Sequence, residues 1–159
     1  MKTKILHIGK VMEIFSINDT EDFSIPTFKG SIYAGGYGSF PSASLDFPED
    51  RIDLLNLLIK DKECTFLAKI SGDSLNDLGI FHGDIILIDK SLFPKAGNIV
   101  VSYVDGDFLA KKFTPKFERN SLTKLTLKSA NKDFKDIEVT EDTDFNIWGV
   151  ITWNLHKMV

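Results

Sequence analysis

The chain has 159 residues, 43% of them hydrophobic and 26% charged, with a formal net charge of −4. That is enough for one domain with an appendage and a buried core, and the acidic balance argues against broad, direct binding to a phosphate backbone. One cysteine, Cys64, excludes an internal disulfide and suits the cytoplasm, and no apolar run approaches the roughly 18 residues that span a bilayer.

Residues 1–28 mix short apolar runs with the polar stretch Asn18-Asp19-Thr20-Glu21-Asp22. The glycine-rich stretch from Gly30 to Gly38 reads as a flexible linker open to proteases. Asp50 to Ile59 is predicted as a short amphipathic helix, with Pro48 ahead of its first turn and Ile52, Leu55 and Ile59 on one stripe. From Cys64 onwards strands dominate. Cys64 to Ile70 is a strand that enters Ser71-Gly72-Asp73-Ser74, and Leu75 to Gly79 is one helical turn closed by a glycine. His82-Gly83-Asp84 is a further turn before the buried strand Ile85 to Asp89. Asn98 to Tyr103 and Phe108 to Phe113 are two strands joined across Asp105-Gly106, a strong hairpin signal, with Pro115 ending the second. Lys124 to Lys128 and Asp144 to Trp153 read as further strands, and the acidic region from Asp133 to Asp144 as a solvated surface.

Two residues carry the chemistry, Ser74 and Lys111. A serine hydroxyl is a poor nucleophile until a neighbouring base removes its proton. A lysine can be that base only where water is kept from its ammonium, because an ordinary lysine has a pKa of about 10.4 and neutrality near pH 7 costs roughly 4–5 kcal/mol. Strand alternation puts Leu109, Lys111 and Phe113 on one face and Phe108, Ala110 and Lys112 on the other. Lys111 therefore sits between two large apolar neighbours, and is the better candidate for burial. Taken alone, such a lysine more often snorkels its head to water. Ser74 lies on a strand-to-helix turn, which presents the side chain outward and aims backbone N–H groups, here those of Asp73 and Ser74, at one spot able to hold an oxyanion. Gly72 permits close backbone approach, and Asp73 or Ser71 is available as a cap.

Order and spacing of these pieces from about residue 39 onwards resemble the LexA/UmuD group of self-cleaving Ser–Lys peptidases, and UmuD-like members most closely. The resemblance rests on Ser39-Phe40-Pro41-Ser42-Ala43 leading to the 50–59 segment, on Lys69-Ile70-Ser71-Gly72-Asp73-Ser74-Leu75 with Gly83 to Asp89, on Gly97 to Lys112, and on Phe145 to Ile151. It implies a mainly β, compact peptidase fold of twisted antiparallel sheets with one or two short helices over residues 39–159, preceded by an arm and cleavable linker over 1–38. It implies Ser74 as nucleophile and Lys111 as general base. It also implies a homodimer, cleavage promoted by a RecA–single-stranded DNA filament, and a Y-family (UmuC-like) translesion polymerase as partner in the SOS response. The cut site departs from the pattern. Gly30-Ser31-Ile32-Tyr33-Ala34-Gly35 favours cleavage at Ala34–Gly35, whereas counting back from Ser74 gives Gly38–Ser39, and both stay open.

His7, His82 and His156 are scattered without metal-ligand spacing, so no metal or other cofactor is expected. His82 follows Ser74 closely enough to suggest the base of a Ser-His-Asp triad, but a polar turn residue ahead of Gly83-Asp84 is the favoured reading. Trp148 and Trp153 are expected in the core or at a subunit contact. Residues 1–38 are too short for a helix-turn-helix, so sequence-specific DNA binding by this chain alone is not expected. The rival readings are a non-cleaving regulatory module and a phage-type repressor fragment without a DNA-binding domain.

Overall fold

The computed structural model describes residues 6–8, 12–15, 24–26 and 51–159. In chain order its strands are β1 (Leu6–Ile8), β2 (Met12–Phe15), β3 (Ser24–Pro26), β4 (Arg51–Asp53), β5 (Thr65–Lys69) and β6 (Ile85–Asp89). They continue with β7 (Ile99–Val104), β8 (Asp107–Glu118), β9 (Ser121–Lys128), β10 (Ile137–Val139) and β11 (Phe145–Leu155). Among the described residues one short helix, α1 (Leu54–Leu58), follows β4, and one 3₁₀ turn covers Asn76–Leu78. The protein is mainly β and antiparallel, as its sequence led us to expect. No described helix is long and apolar enough to cross a membrane.

Residues 19–60 and the rest of the chain are two compact units. In the smaller one, β3 pairs with β4, and Asp53 then caps α1 by accepting hydrogen bonds from the N–H groups of Leu55 (2.9 Å) and Asn56 (3.2 Å). This corrects the helix expected from Asp50 to Ile59. The extended backbone of Asp53 (φ −72°, ψ 107°) separates strand from helix, so Ile52 lies in β4 and not on a helical stripe.

The larger unit is a nine-stranded sheet in the order β1-β2-β5-β6-β11-β7-β8-β9-β10. The last strand in chain order, β11, lies between β6 and β7 and joins the half that leads to Ser74 to the half that carries Lys111. Alternating side chains bury both faces. Ala68, Ile86, Ile88 and Val101 pack together on one side, and Val100, Val104, Phe113, Leu125 and Leu127 on the other. Each of these side chains except Ala68 contributes about 1.5–3 kcal/mol by leaving water.

Gly149 lets β11 sit close to β6. A Cβ at this position would lie 2.6 Å from the Ile88 Cγ2 methyl and 3.1 Å from the Asp89 carbonyl oxygen. Ile88 is fully buried and has nowhere to go. Gly149→Ala is therefore expected to destabilise the protein by about 1–3 kcal/mol, read as a lower unfolding midpoint in urea at unchanged slope.

Pro115 does not end its strand, contrary to expectation: β8 runs on to Glu118, with Pro115 opposite Leu125 of β9. The reason is local. β7 begins at Ile99 opposite Lys112, so beyond that point β8 is paired on the β9 side only, and an edge strand tolerates a residue that lacks an N–H.

Candidate active site

The Ser71–Ser74 turn follows β5 directly. Its entry is fixed by backbone bonds between Ile70 and the segment before β6, from Ile70 N–H to the Asp84 carbonyl (2.8 Å) and from Gly83 N–H to the Ile70 carbonyl (2.9 Å). Gly72 has φ +96°, which favours glycine, but nothing lies within 4 Å of the place a Cβ would take. Within the protein its role is therefore backbone conformation, and the space beside it is left open. The 3₁₀ turn behind Ser74 ends at Gly79 in the left-handed region (φ +74°). It is closed by backbone bonds, with no side-chain cap from Ser71 or Asp73.

His82 braces this turn: its Nδ1 accepts the Gly72 N–H at 3.2 Å. That bond gives the imidazole a supporting role and leaves the triad reading without a contact to Ser74. Asp84, 4% exposed, accepts hydrogen bonds from the Phe81 N–H (2.9 Å) and the Asn154 amide (2.9 Å), and pairs with the His156 ring (2.6 Å). Burial pushes this carboxyl up, but those three partners together hold it below its ordinary value.

Lys111 is the other half. It lies opposite Val100 of β7 and is 6% exposed, whereas Lys112 is half-buried, as the alternation argument expects. Burial holds its ammonium below the ordinary lysine value, and the Asp136 carboxylate pulls part of the way back. Nζ donates to Ser129 Oγ at 3.0 Å and stands 5.5 Å from the centre of the Phe134 ring.

Ser74 and Lys111 line one cleft of about 70 Å³, together with Ile70, Leu75, Phe108 and Ala110. No hydrogen bond joins the two side chains in this structure; the half-buried Ser74 hydroxyl faces the cleft unbonded among the described residues. The N–H groups of Asp73 and Ser74 likewise donate to no partner among the described residues, so both are available to an oxyanion. Because β9 ends opposite Lys112, residues 108–111 of β8 are laddered to β7 only, and their other edge is open among the described residues. Such an edge can take an extended peptide by main-chain hydrogen bonding.

Three residues that sequence reasoning missed tie the halves together. Ser129 holds Lys111; Ala130 N–H donates to the Ser74 carbonyl (2.7 Å); the Asn131 amide donates to the Asp73 carbonyl (2.8 Å). Asp77 N–H donates back to the Ala130 carbonyl (2.9 Å). Lys128-Ser129-Ala130-Asn131 has no local signature, since its contacts are with residues far away in sequence. The acidic region after it is largely exposed as expected, yet Asp136 is tied in, its Oδ1 accepting the Ser129 N–H at 3.0 Å.

Other expectations are resolved more simply. Trp148 is half-buried against the core, and Trp153 is 44% exposed. The Cys64 thiol is held above its ordinary value, chiefly by its hydrogen bond with Asp61, and is a poor nucleophile. Among the described residues no cluster of His, Cys, Asp or Glu could hold a metal ion. Ala34, Gly35, Gly38 and Ser39 lie outside the described residues.

Comparison with known proteins agrees with this architecture. The chain is 30% identical over 118 residues to protein SamA of Salmonella typhimurium, covering 74% of this chain and 78% of SamA. It is 29% identical over 132 residues to protein ImpA of Escherichia coli, covering 83% of each. It is also 31% identical over 147 residues to the LexA repressor of Xylella fastidiosa, covering 92% of this chain and 65% of the repressor. Residues 26–152 match the family described as Peptidase S24-like, and with these relatives the match makes the chain a UmuD-like member of that family, the LexA/UmuD-type peptidases.

Proposed function

We propose that the chain is a serine endopeptidase that cuts its own N-terminal arm, residues 1–38 holding the arm and linker and 39–159 the peptidase domain. The observation that carries this reading is a buried lysine, its ammonium held below the ordinary value, on the wall of the cleft that Ser74 also lines. The neutral Lys111 amine takes the Ser74 proton, and Oγ bonds to the carbonyl carbon of Ala34 (or Gly38). The N–H groups of Asp73 and Ser74 hold the oxyanion. The bond to the nitrogen of Gly35 (or Ser39) then breaks as that nitrogen takes the proton from Lys111. Water, deprotonated by Lys111, hydrolyses the ester and frees Ser74. Tethering supplies the high local concentration that tight binding would otherwise give, within one chain or across a homodimer. Both candidate bonds lie downstream of β1 and β2, so either cut breaks the covalent link between those strands and the part that carries the cleft, leaving the β2–β5 pairing to hold them.

Family resemblance supports the biological setting: a cytoplasmic homodimer, cleavage promoted by a RecA–single-stranded DNA filament, and a trimmed form that joins a Y-family polymerase for synthesis past lesions. Purified protein incubated at rising pH is expected to cleave faster as Lys111 deprotonates, and mass spectrometry should find a large fragment starting at Gly35 or Ser39. A rate that stays flat or falls with pH excludes Lys111 as the base.

A further inference from the structure

We propose that Ser129 is a positioning residue for Lys111, keeping the amine's lone pair turned away from the Ser129 side. The inference rests on the Ser–Lys peptidase reading and deepens it. Ser129 Oγ accepts from Lys111 Nζ at 3.0 Å and donates to the Lys135 carbonyl at 3.1 Å. A serine hydroxyl has one hydrogen, and Lys135 takes it, so towards Lys111 the oxygen can only accept. Lys111 must therefore present an N–H to Ser129 whether it is charged or neutral. In the neutral amine one tetrahedral direction at Nζ is filled by Cε and a second by that N–H. The lone pair takes one of the remaining two, never the one facing Ser129.

The rest of the loop between β9 and β10 holds Ser129 in place. The Ser129 N–H is bonded to Asp136, and the next residue, Ala130, is bonded to the Ser74 backbone at 2.7 Å. The hydroxyl that orients the base is thus one residue from the hydrogen bond that anchors the nucleophile's turn. A displacement of about 1 Å at a reacting group can cost on the order of 100-fold in rate, so a direct tie between the two groups has a kinetic use.

Ser129 also opposes burial. An acceptor stabilises an ammonium more than an amine, because the charged bond is stronger. The charged group acting on Nζ is Asp136 from the same loop; Lys69 also lines the cleft, and β7 opposes Lys111 with the neutral Val100. The Asp73 carboxylate is engaged with the Asn76 amide (3.5 Å), and the His82 ring with Gly72. Removing the Ser129 oxygen therefore moves the Lys111 titration to lower pH while slowing the cut.

The test compares full-length wild type, Ser129→Ala and Ser129→Thr. Cleavage rate is followed against pH, and the Lys111 amine is titrated by NMR of ¹³C-labelled lysine in a Ser74→Ala background that keeps the chain whole. The Lys111 signal is assigned by its loss in Lys111→Arg. Ser129→Ala is expected to lower the plateau rate roughly ten- to 100-fold and to shift both the rate profile and the titration to lower pH, with Ser129→Thr restoring both. A Ser129→Ala protein that folds, as judged by its melting curve, and titrates like wild type overturns the proposal. So does a rate lowered only in proportion to lost folded protein. If wild type cleaves at no pH, the peptidase reading fails, and the NMR titration alone still decides whether Ser129 sets the state of Lys111.

Discussion

Replacing Lys111 with methionine is expected to abolish the proposed self-cleavage while making the folded protein more stable. The loss should be at least about 10³-fold, the scale on which a positioned general base acts. Ser74→Ala should match it. The two variants differ in stability, however. Ser74 Oγ makes no hydrogen bond among the described residues, so its removal changes stability by no more than about 0.5 kcal/mol. Lys111 is 6% exposed, and a methionine of similar length fills the site without a cation to desolvate, a gain of about 1–2 kcal/mol at neutral pH. The sign follows from linkage. Burial depresses the folded-state value, so between that value and the ordinary 10.5 the unfolded chain binds a proton that the folded chain has lost. Wild-type stability rises with pH across that window, and the advantage of the methionine variant shrinks towards pH 10.5. Urea melts at several pH values measure this. A methionine variant that still cuts itself shows that Lys111 is not the base, and one less stable than wild type shows that Lys111 is not a cost to the fold.

Asp84→Ala is expected to be the most damaging polar substitution, at about 3 kcal/mol. It strands the Phe81 N–H, leaves the Asn154 amide only its bond to the Gly79 carbonyl, and releases His156, which ties the end of β11 to the turn before β6. The same segment fixes Ile70 at the mouth of the Ser74 turn, so cleavage should slow as well. The Asp84 carboxyl is held below its ordinary value of 3.8, hence its contribution is present above that pH and lost as pH falls through the folded-state value. Wild type and Asp84→Ala should therefore converge in stability in acid. Asp84→Asn separates charge from shape. A gap between wild type and Asp84→Ala that stays constant down to pH 2 would assign the effect to packing.

How much of this was legible in the sequence depends on distance along the chain. The hairpin before Lys111 could be read because its signal is local: Asp105 and Gly106 adopt the positive φ values (48° and 103°) that the dipeptide favours. The burial of Lys111 could be read from its apolar neighbours two residues either side on one strand. Local rules misled where pairing intervened. Residues 51–53 have a helix-compatible pattern but are claimed by β3, and Pro115 persists in β8 because β7 is no longer alongside. Ser129, Ala130 and Asn131 could not be read at all, since serine, alanine and asparagine acquire their meaning only from a turn that folds against them from the other half of the sheet.

The central place of β11 bears on timing during synthesis. A nascent chain emerges with β5, the Ser74 turn and β6 well before residues 145–155 have left the ribosome, yet these later residues are the seam between the two halves of the sheet. Until they arrive, β6 and β7 have no strand between them, and the Ser74 turn is tied to the Lys111 half only through the Ser129–Asn131 loop. Under the proposed function, insertion of β11 is therefore the step that completes the sheet holding Ser74 and Lys111 on one cleft.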